Sequence, residues 1–85
     1  MRLSIVTPAA PLVDSDVDSV VLPGSEGEFG VLPEHELVLA PLREGLLVYT
    51  AGGQSRTVAI TGGFAEITHS AVNVLADSAK HVQLQ

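Results

Sequence analysis

Turn-forming residues interrupt the apolar runs of this chain roughly every 8–12 residues, and this spacing is what most constrains the fold. Pro8, Pro23-Gly24, Pro33 and Gly52-Gly53 each follow a short run rich in Val, Leu or Ile. No stretch carries apolar residues at helical spacing for more than about one turn. The pattern therefore predicts an all-β protein, an antiparallel β-sandwich or flattened barrel of about eight to ten short strands.

The apolar runs also predict where the strands lie. Hairpins are expected around Gly52-Gly53 and around His69-Ser70, and Pro41 places its strand at an edge or end. Residues 1–77 are expected to form one domain, with 78–85 as a tail or a short helical turn. The strands are predicted over 2–7, 11–14, 17–22, 29–32, 37–42, 46–51, 56–60, 64–68 and 71–76.

Few aromatic residues are available for the core of such a sheet. They are Phe29, Tyr49 and Phe64 in a chain that is 46% hydrophobic, so Val, Leu, Ile and Ala must supply most of the packing. Phe64 is expected in the core, where truncation to Ala would cost about 3–5 kcal/mol if the ring is buried.

One segment, 17–36, combines an apolar run with glycines and acids. A glycine at every third position lets the backbone turn at φ > 0 and approach a neighbour closely. Carboxylates in the same stretch repel phosphate and nucleic acid. The segment therefore predicts a loop that meets a protein surface, and a basic one. Its marked residues are Gly24, Gly27, Gly30, Glu26, Glu28, Glu34, His35 and Glu36.

Charge is unevenly distributed along the chain. Residues 14–44 carry eight acidic residues against Arg43 alone, a balance of −7, while the remainder has a balance of +1. Acidity confined to one part of the sequence indicates an acidic face or edge, or a surface that only aids solubility. Nucleic acid and anionic lipid are therefore not expected as partners.

No motif supports a catalytic, metal or cofactor site. A chain of this length buries only about 60–65% of its unfolded surface, which leaves little room for an enclosed active site. The absence of cysteine excludes disulfides and thiolate ligands. No segment resembles a membrane span or a signal peptide, so a soluble cytoplasmic domain is expected.

Three near-matches to known motifs fail on inspection. Asp14, Asp16 and Asp18 have the first ligand spacings of a calcium loop, but Ser19 and Ser25 stand where the glycine and the bidentate glutamate belong. The glycines of 24–30 lack the Gly-Lys-Ser/Thr of a phosphate loop. The three histidines are far apart in sequence, and none is at a metal-ligand spacing from another. No small-molecule ligand is expected.

The order of motifs resembles the epsilon subunit of the rotary F-type ATP synthase, in its N-terminal β-sandwich. The motifs run in that family's order over nearly the whole chain, and the glycine-acid segment and the Gly-Gly-Phe-Ala-Glu run are specific together. They are Leu3-Ser4-Ile5-Val6-Thr7-Pro8, the run from Val17 to Pro33, Leu42-Arg43-Glu44-Gly45, Gly62-Gly63-Phe64-Ala65-Glu66 and Val74-Leu75-Ala76-Asp77.

The resemblance implies a non-catalytic rotor subunit of the central stalk. Such a domain binds the gamma subunit and the membrane ring of c subunits and couples ring rotation to ATP synthesis. By motif position Glu28 would face the ring and His35 would lie near gamma. The implied location is the cytoplasmic face of a bacterial inner membrane, as a peripheral subunit. The expected partner-binding residues are Glu26, Glu28, Phe29, Val31, His35 and Leu37.

The chain departs from the family pattern in two places. The family usually has Pro-Gly-His-Ala-Pro where this chain has Pro33-Glu34-His35-Glu36-Leu37. The family's C-terminal helical pair, which can block rotation, is absent beyond Ala76, so inhibition by that mechanism is not expected. The alternative interpretation is a free-standing acidic β-sandwich that binds other proteins.

Overall fold

The computed structural model describes residues 1–31 and 37–83. All regular structure in these ranges is β, in ten strands. The predicted all-β class is thereby confirmed. The strands are β1 (Arg2–Val6), β2 (Pro11–Asp16), β3 (Ser19–Gly24), β4 (Gly27–Val31), β5 (Val38–Leu42), β6 (Gly45–Ala51), β7 (Gln54–Ile60), β8 (Gly63–Ile67), β9 (Ala71–Ala76) and β10 (Ala79–Val82).

The strands form one continuous sheet that wraps around a single core. Its order is β10-β7-β6-β3-β5-β8-β9-β1-β2, with β4 paired to the other side of β3. All pairings are antiparallel except one, because β1 and β9 run parallel, with Leu3 beside Val72 and Ile5 beside Val74. The predicted antiparallel sandwich is therefore confirmed, with one parallel pair that the sequence did not indicate. The parallel pairing places two buried residues of the first strand beside two buried residues of the ninth.

The core consists of the inward-facing residues of the strands, along which buried and more exposed positions alternate. Leu3 and Ile5 in β1 are both 0% exposed, while Arg2 at the start of the same strand is exposed. No polar or charged residue is buried within 1–31 and 37–83. Packing of Val, Leu, Ile and Ala therefore holds the fold together. The largest fully buried side chains are Leu3, Ile5, Leu22, Leu47, Ile60, Ile67, Val20, Val31, Val58, Val72 and Val74.

Both expected hairpins are present. Gly52 and Gly53 connect β6 to β7 with φ values of 59° and 79°, which matches the two-residue turn that needs left-handed backbone at both positions. The β8–β9 hairpin is closed by a hydrogen bond of 2.8 Å from the Thr68 N–H to the Ala71 carbonyl. These turns confirm the placement of four consecutive strands.

Three local expectations are wrong. Pro23-Gly24 does not form a turn, because β3 continues through both residues. Residues 79–82 form β10 against β7 instead of a helical turn or a tail. Phe64 is 53% exposed. Its neighbours Ala65 and Ile67 are 0% exposed, so the alternation of β8 turns the small alanine inward and the phenylalanine outward.

Candidate functional site

The glycine-acid segment folds into a regular hairpin of β3 and β4, which we call the acidic hairpin (residues 19–31). Its register runs from Val20 opposite Val31 to Gly24 opposite Gly27. The turn lies at Ser25-Glu26. Gly27 has a φ of 127°, whereas Gly24 and Gly30 are not in the left-handed region. Only one of the three glycines is therefore needed for its backbone conformation.

Gly24 is needed for side-chain packing and not for a backbone turn. A Cβ built at this position would lie 2.7 Å from Cε1 of Phe29 and 2.8 Å from the Gly27 carbonyl oxygen. The Phe29 ring thus occupies the space beside Gly24 and packs, half-buried, against the main core. This contact joins the two strands of the hairpin near their turn.

Two backbone hydrogen bonds tie the acidic hairpin to the chain that follows it. The Ser25 N–H donates to the Pro41 carbonyl at 3.0 Å, and the Arg43 N–H donates to the Pro23 carbonyl at 2.9 Å. The acceptors and donors lie beside the Gly24–Leu42 pairing of β3 with β5. The tip is therefore held in place by the body of the sandwich and belongs to a regular hairpin, where the sequence predicted a loop.

Both glutamates of the hairpin point into solvent. Glu26 lies in the turn and Glu28 follows on β4, opposite Pro23, and both are exposed. Within the described ranges neither carboxylate has a basic group within 4.0 Å. Adjacent uncompensated carboxylates on a fixed support form a preorganised site for a basic group.

The other predicted partner-binding residues that the structure describes differ in how exposed their side chains are. Val31 is 1% exposed and packs opposite Val20, so it supports the hairpin from inside and offers no surface to a partner. Leu37 is 76% exposed and is available for contact. Phe29 is half-buried, as described above. His35, with Glu34 and Glu36, lies outside the described residues.

A second surface was not predicted from the sequence. On the outer side of the sheet, Pro41 of β5 lies opposite Phe64 of β8, and Phe64 lies opposite Leu75 of β9. Leu75 in turn lies beside Val6 of β1. These four residues form an apolar row across four strands, with Leu75 63% exposed. Strict alternation, applied to β8 and β9 from the buried Ala65 and Val74, would have revealed it.

A sheet wrapped around an apolar core, with its polar groups at the surface, defines a small β-sandwich domain. Residues 1–82 match the family described as ATP synthase, Delta/Epsilon chain, beta-sandwich domain. The chain belongs to this family, as its motif order suggested.

Curated relatives of this chain are ATP synthase epsilon chains. It is 45% identical over 83 residues to that of Nitratidesulfovibrio vulgaris (strain DSM 19637 / Miyazaki F), an alignment covering 98% of this chain and 62% of the relative. It is 44% identical over 79 residues to that of Desulforamulus reducens, covering 93% of this chain and 60% of the relative. The chain thus spans about three fifths of the length of these relatives.

Solved structures with the same fold are ATP synthases. One is the Euglena gracilis mitochondrial ATP synthase, OSCP/F1/c-ring, with a TM-score of 0.87, 28% identity, and coverage of 93% of this chain and 51% of the matched chain. Another is the Tetrahymena thermophila mitochondrial ATP synthase, central stalk/c-ring, with a TM-score of 0.79 and coverage of 94% and 65%. At 15% identity the second supports the fold alone.

Proposed function

We propose that this chain is a non-catalytic central-stalk subunit of an F-type ATP synthase. It docks on a gamma subunit and on the membrane ring of c subunits, and it couples rotation of the ring to ATP synthesis. Membership of the delta/epsilon β-sandwich family supports this function. The similarity to the Euglena ATP synthase, a complex that includes F1 and the c-ring, supports the two partners.

The observation that carries the proposal is the acidic hairpin. Two exposed carboxylates, Glu26 and Glu28, stand at its tip without a basic neighbour in the described part of the chain. A rigid support lowers the entropy that each carboxylate loses when it forms a charge-assisted hydrogen bond. The partner surface that suits this tip is a basic loop of the ring.

Two exposed leucines that follow the acidic hairpin in sequence complete the proposed docking surface. Leu37 is 76% exposed and Leu39 is 69% exposed. Leu39 lies two residues before Pro41, the member of the apolar row on β5. Exposed leucines beside an acidic tip form the apolar centre and charged rim that are typical of protein interfaces. In this proposal His35 contacts gamma together with Leu37.

The proposed location follows from the proposed partners. Docking on the ring makes the chain a peripheral subunit at the cytoplasmic face of a bacterial inner membrane. In the described ranges no helix has the length and hydropathy to cross a membrane. In this proposal the chain is attached to the membrane through the ring.

The test is reconstitution with the cognate gamma subunit and c-ring. Wild type should co-migrate with the complex, and Glu28→Lys should dock at least about tenfold more weakly because it replaces attraction by repulsion at the tip. Asp18→Lys is the matched control. Its exposed carboxylate precedes β3 at the end away from Gly24, roughly 20 Å along the strand.

The possible results separate the function from the contact. Failure of the wild type to form a complex would overturn the stalk function and favour the free-standing interaction module. Equal docking by Glu28→Lys and Asp18→Lys, in a complex that the wild type does form, would remove only the proposed charge contact. The Glu28 carboxylate has no basic neighbour in the described ranges, so Glu28→Lys should leave stability within about 0.5 kcal/mol, and unfolding would not explain its loss of docking. Asp18→Lys also loses the hydrogen bond from the Gly52 N–H, so its folding is checked by circular dichroism.

A further inference from the structure

A polar cleft lies where the two terminal strands of the sheet order, β2 and β10, approach the same rim of the sandwich. It has a volume of about 400 Å³. We call it the seam cleft. Its lining comes from four strands and consists of Ser15 in β2, Tyr49 and Ala51 in β6, Gln54 and Arg56 in β7 and His81 in β10.

The strand registers place these polar side chains on the core-facing side of the sheet, at its open rim, where Gln54, Arg56 and His81 are exposed to solvent. Ser15 is paired with Leu3 and His81 with Val58, and both partners are 0% exposed. Arg56 is paired with Tyr49, which is 7% exposed. Directly paired residues share a face, so the polar groups continue the core outward and converge at its rim.

The donors at this rim are only partly used. The Tyr49 hydroxyl lies 3.2 Å from Nε2 of His81, with the two rings edge to face at a centroid distance of 6.4 Å. Arg56 donates from Nη2 to the Gln54 side-chain oxygen at 3.4 Å. In residues 1–31 and 37–83 no carboxylate lies within 4.0 Å of the Arg56 guanidinium. Most of the N–H donors of this guanidinium are therefore available to an acceptor.

The carboxylates nearest in sequence to Ser15 are engaged elsewhere. Asp14 accepts a hydrogen bond of 2.8 Å from Nε of Arg2. Asp16 pairs with the Met1 amino group at 3.4 Å, and Asp18 accepts from the Gly52 N–H at 3.2 Å. These contacts satisfy the carboxylates without Arg56. The seam cleft thus keeps its cation in a chain with a net charge of −6.

We propose that the seam cleft binds a small oxyanion, a phosphate or a carboxylate. Arg56 is the principal donor, because its planar fork matches two oxygens of such a group. The hydroxyls of Ser15 and Tyr49 and the ring of His81 complete the set. This site departs from the expectation that the chain has no small-molecule ligand.

The seam cleft is separate from the tip of the acidic hairpin, where Glu26 and Glu28 lie. Tyr49 is paired with Val20 and Thr50 with Ser19, near the start of β3, whereas the hairpin turn follows Gly24 at the other end of that strand. Binding in the cleft can therefore be measured on the chain alone, and its outcome does not depend on docking to gamma or the ring.

Backbone amide NMR during titration with inorganic phosphate tests this site, with chloride exchanged to hold ionic strength constant. Saturable shifts centred on Ser15, Tyr49, Gln54, Arg56 and His81 are expected. Arg56→Gln should raise Kd at least about tenfold, the usual scale for losing a charge-assisted pair. Lys80→Gln is the matched control, because Lys80 is adjacent to His81 but paired with Ala59 on the outer side.

Two further arms sharpen the result. Tyr49→Phe keeps the ring and removes the hydroxyl, and should raise Kd by about threefold or more because that hydroxyl is one of the proposed donors. Acetate in place of phosphate distinguishes a general oxyanion site, where both bind at the same residues, from one selective for phosphate. Shifts that do not saturate, or equal Kd values for Arg56→Gln and Lys80→Gln in folded proteins, would overturn the proposal.

Discussion

The ring of Phe29 fills the space where a side chain at Gly24 would stand. A Cβ at Gly24 would be 2.7 Å from the ring and 2.8 Å from the carbonyl oxygen of Gly27, closer than real Cβ contacts. The ring could move, but the backbone oxygen is part of the hairpin ladder. This contact packs the two strands of the acidic hairpin against each other near the turn.

Gly24→Ala should therefore destabilise the domain by about 1–3 kcal/mol, the usual cost of overpacking a filled site. Chemical denaturation monitored by circular dichroism measures this cost. Gly30→Ala is the control, since its nearest neighbour would be the Val20 carbonyl at 3.9 Å. It should change stability by no more than about 0.5 kcal/mol. Equal stability of the two variants would contradict the packing role of Gly24.

Gly63→Ala should be more damaging. Gly63 has a φ of 135°, and a Cβ there would overlap the carbonyl oxygen of Leu75 on β9. Backbone strain and overlap with a paired strand together should cost about 3 kcal/mol or more. The measurement is again the free energy of unfolding, or the yield of folded protein if the variant does not fold.

Gly53→Ala separates the two causes. Gly53 also has a left-handed φ, 79°, but nothing lies within 4 Å of a Cβ built there. It should lose only about 1–2 kcal/mol, from backbone strain alone. If Gly63→Ala costs no more than Gly53→Ala, the overlap with Leu75 is relieved by movement of β9 and the prediction is wrong.

Phe64→Ala should be mild. Because the ring is 53% exposed, its truncation should cost about 1–2 kcal/mol, well below the value for a buried phenylalanine. Ile67→Ala, on the core side of the same strand and 0% exposed, should cost about 2–5 kcal/mol. Thermal unfolding of the two variants side by side gives the comparison. A larger loss for Phe64→Ala would place the ring in the core after all.

The Arg2–Asp14 pair should be visible as a pH effect. The hydrogen bond and the charge of Arg2 lower the pKa of Asp14 below its usual value. A carboxyl whose pKa is lowered on folding stabilises the protein above its unfolded pKa, and that contribution is lost as pH falls through the folded pKa. The effect is therefore confined to the acid limb of the stability profile. Because the pair is exposed, it should be small and reduced by salt.

NMR titration of the Asp14 carboxyl measures this effect directly. Arg2→Gln should move the Asp14 pKa back up toward its usual value, because it removes both the donor and the charge. Lys80→Gln removes the same charge from a residue that forms no ion pair with Asp14 in the described part of the chain, and should leave the Asp14 titration unchanged. An Asp14 pKa that does not respond to Arg2→Gln would show that the ion pair is not populated in solution.

Much of the fold could be predicted because its signals are local. Left-handed glycines at 52 and 53 suffice for the β6–β7 turn, and alternating residues such as Leu3 and Ile5 need only a period of two. Pro23-Gly24 shows the limit of such signals. The same dipeptide that marks a turn elsewhere stands here inside a strand, because Gly24 makes room for Phe29 across the ladder.

The sequence predicted the charged residues of the candidate site but not the packing that holds them in place. The exposed Glu26 and Glu28 follow from the sequence, since charged residues beside glycines rarely enter a core. The burial of Val31 and the exposure of Phe64 do not follow, because each depends on which face of its strand meets the core. The seam cleft could not be foreseen either, since its residues come from strands separated by up to 66 positions, from Ser15 to His81.

By itself the sequence determined the all-β class, most strand positions and the acidity of the hairpin, because turn chemistry and alternation act over a few residues. Only the tertiary structure decided the parallel pairing of β1 with β9 and the tenth strand on β7. Both depend on the hydrogen-bonding edges that the rest of the sheet presents. A short run such as Ala79–Val82 has no strong preference of its own, and it becomes a strand because the edge of β7 supplies partners for its backbone.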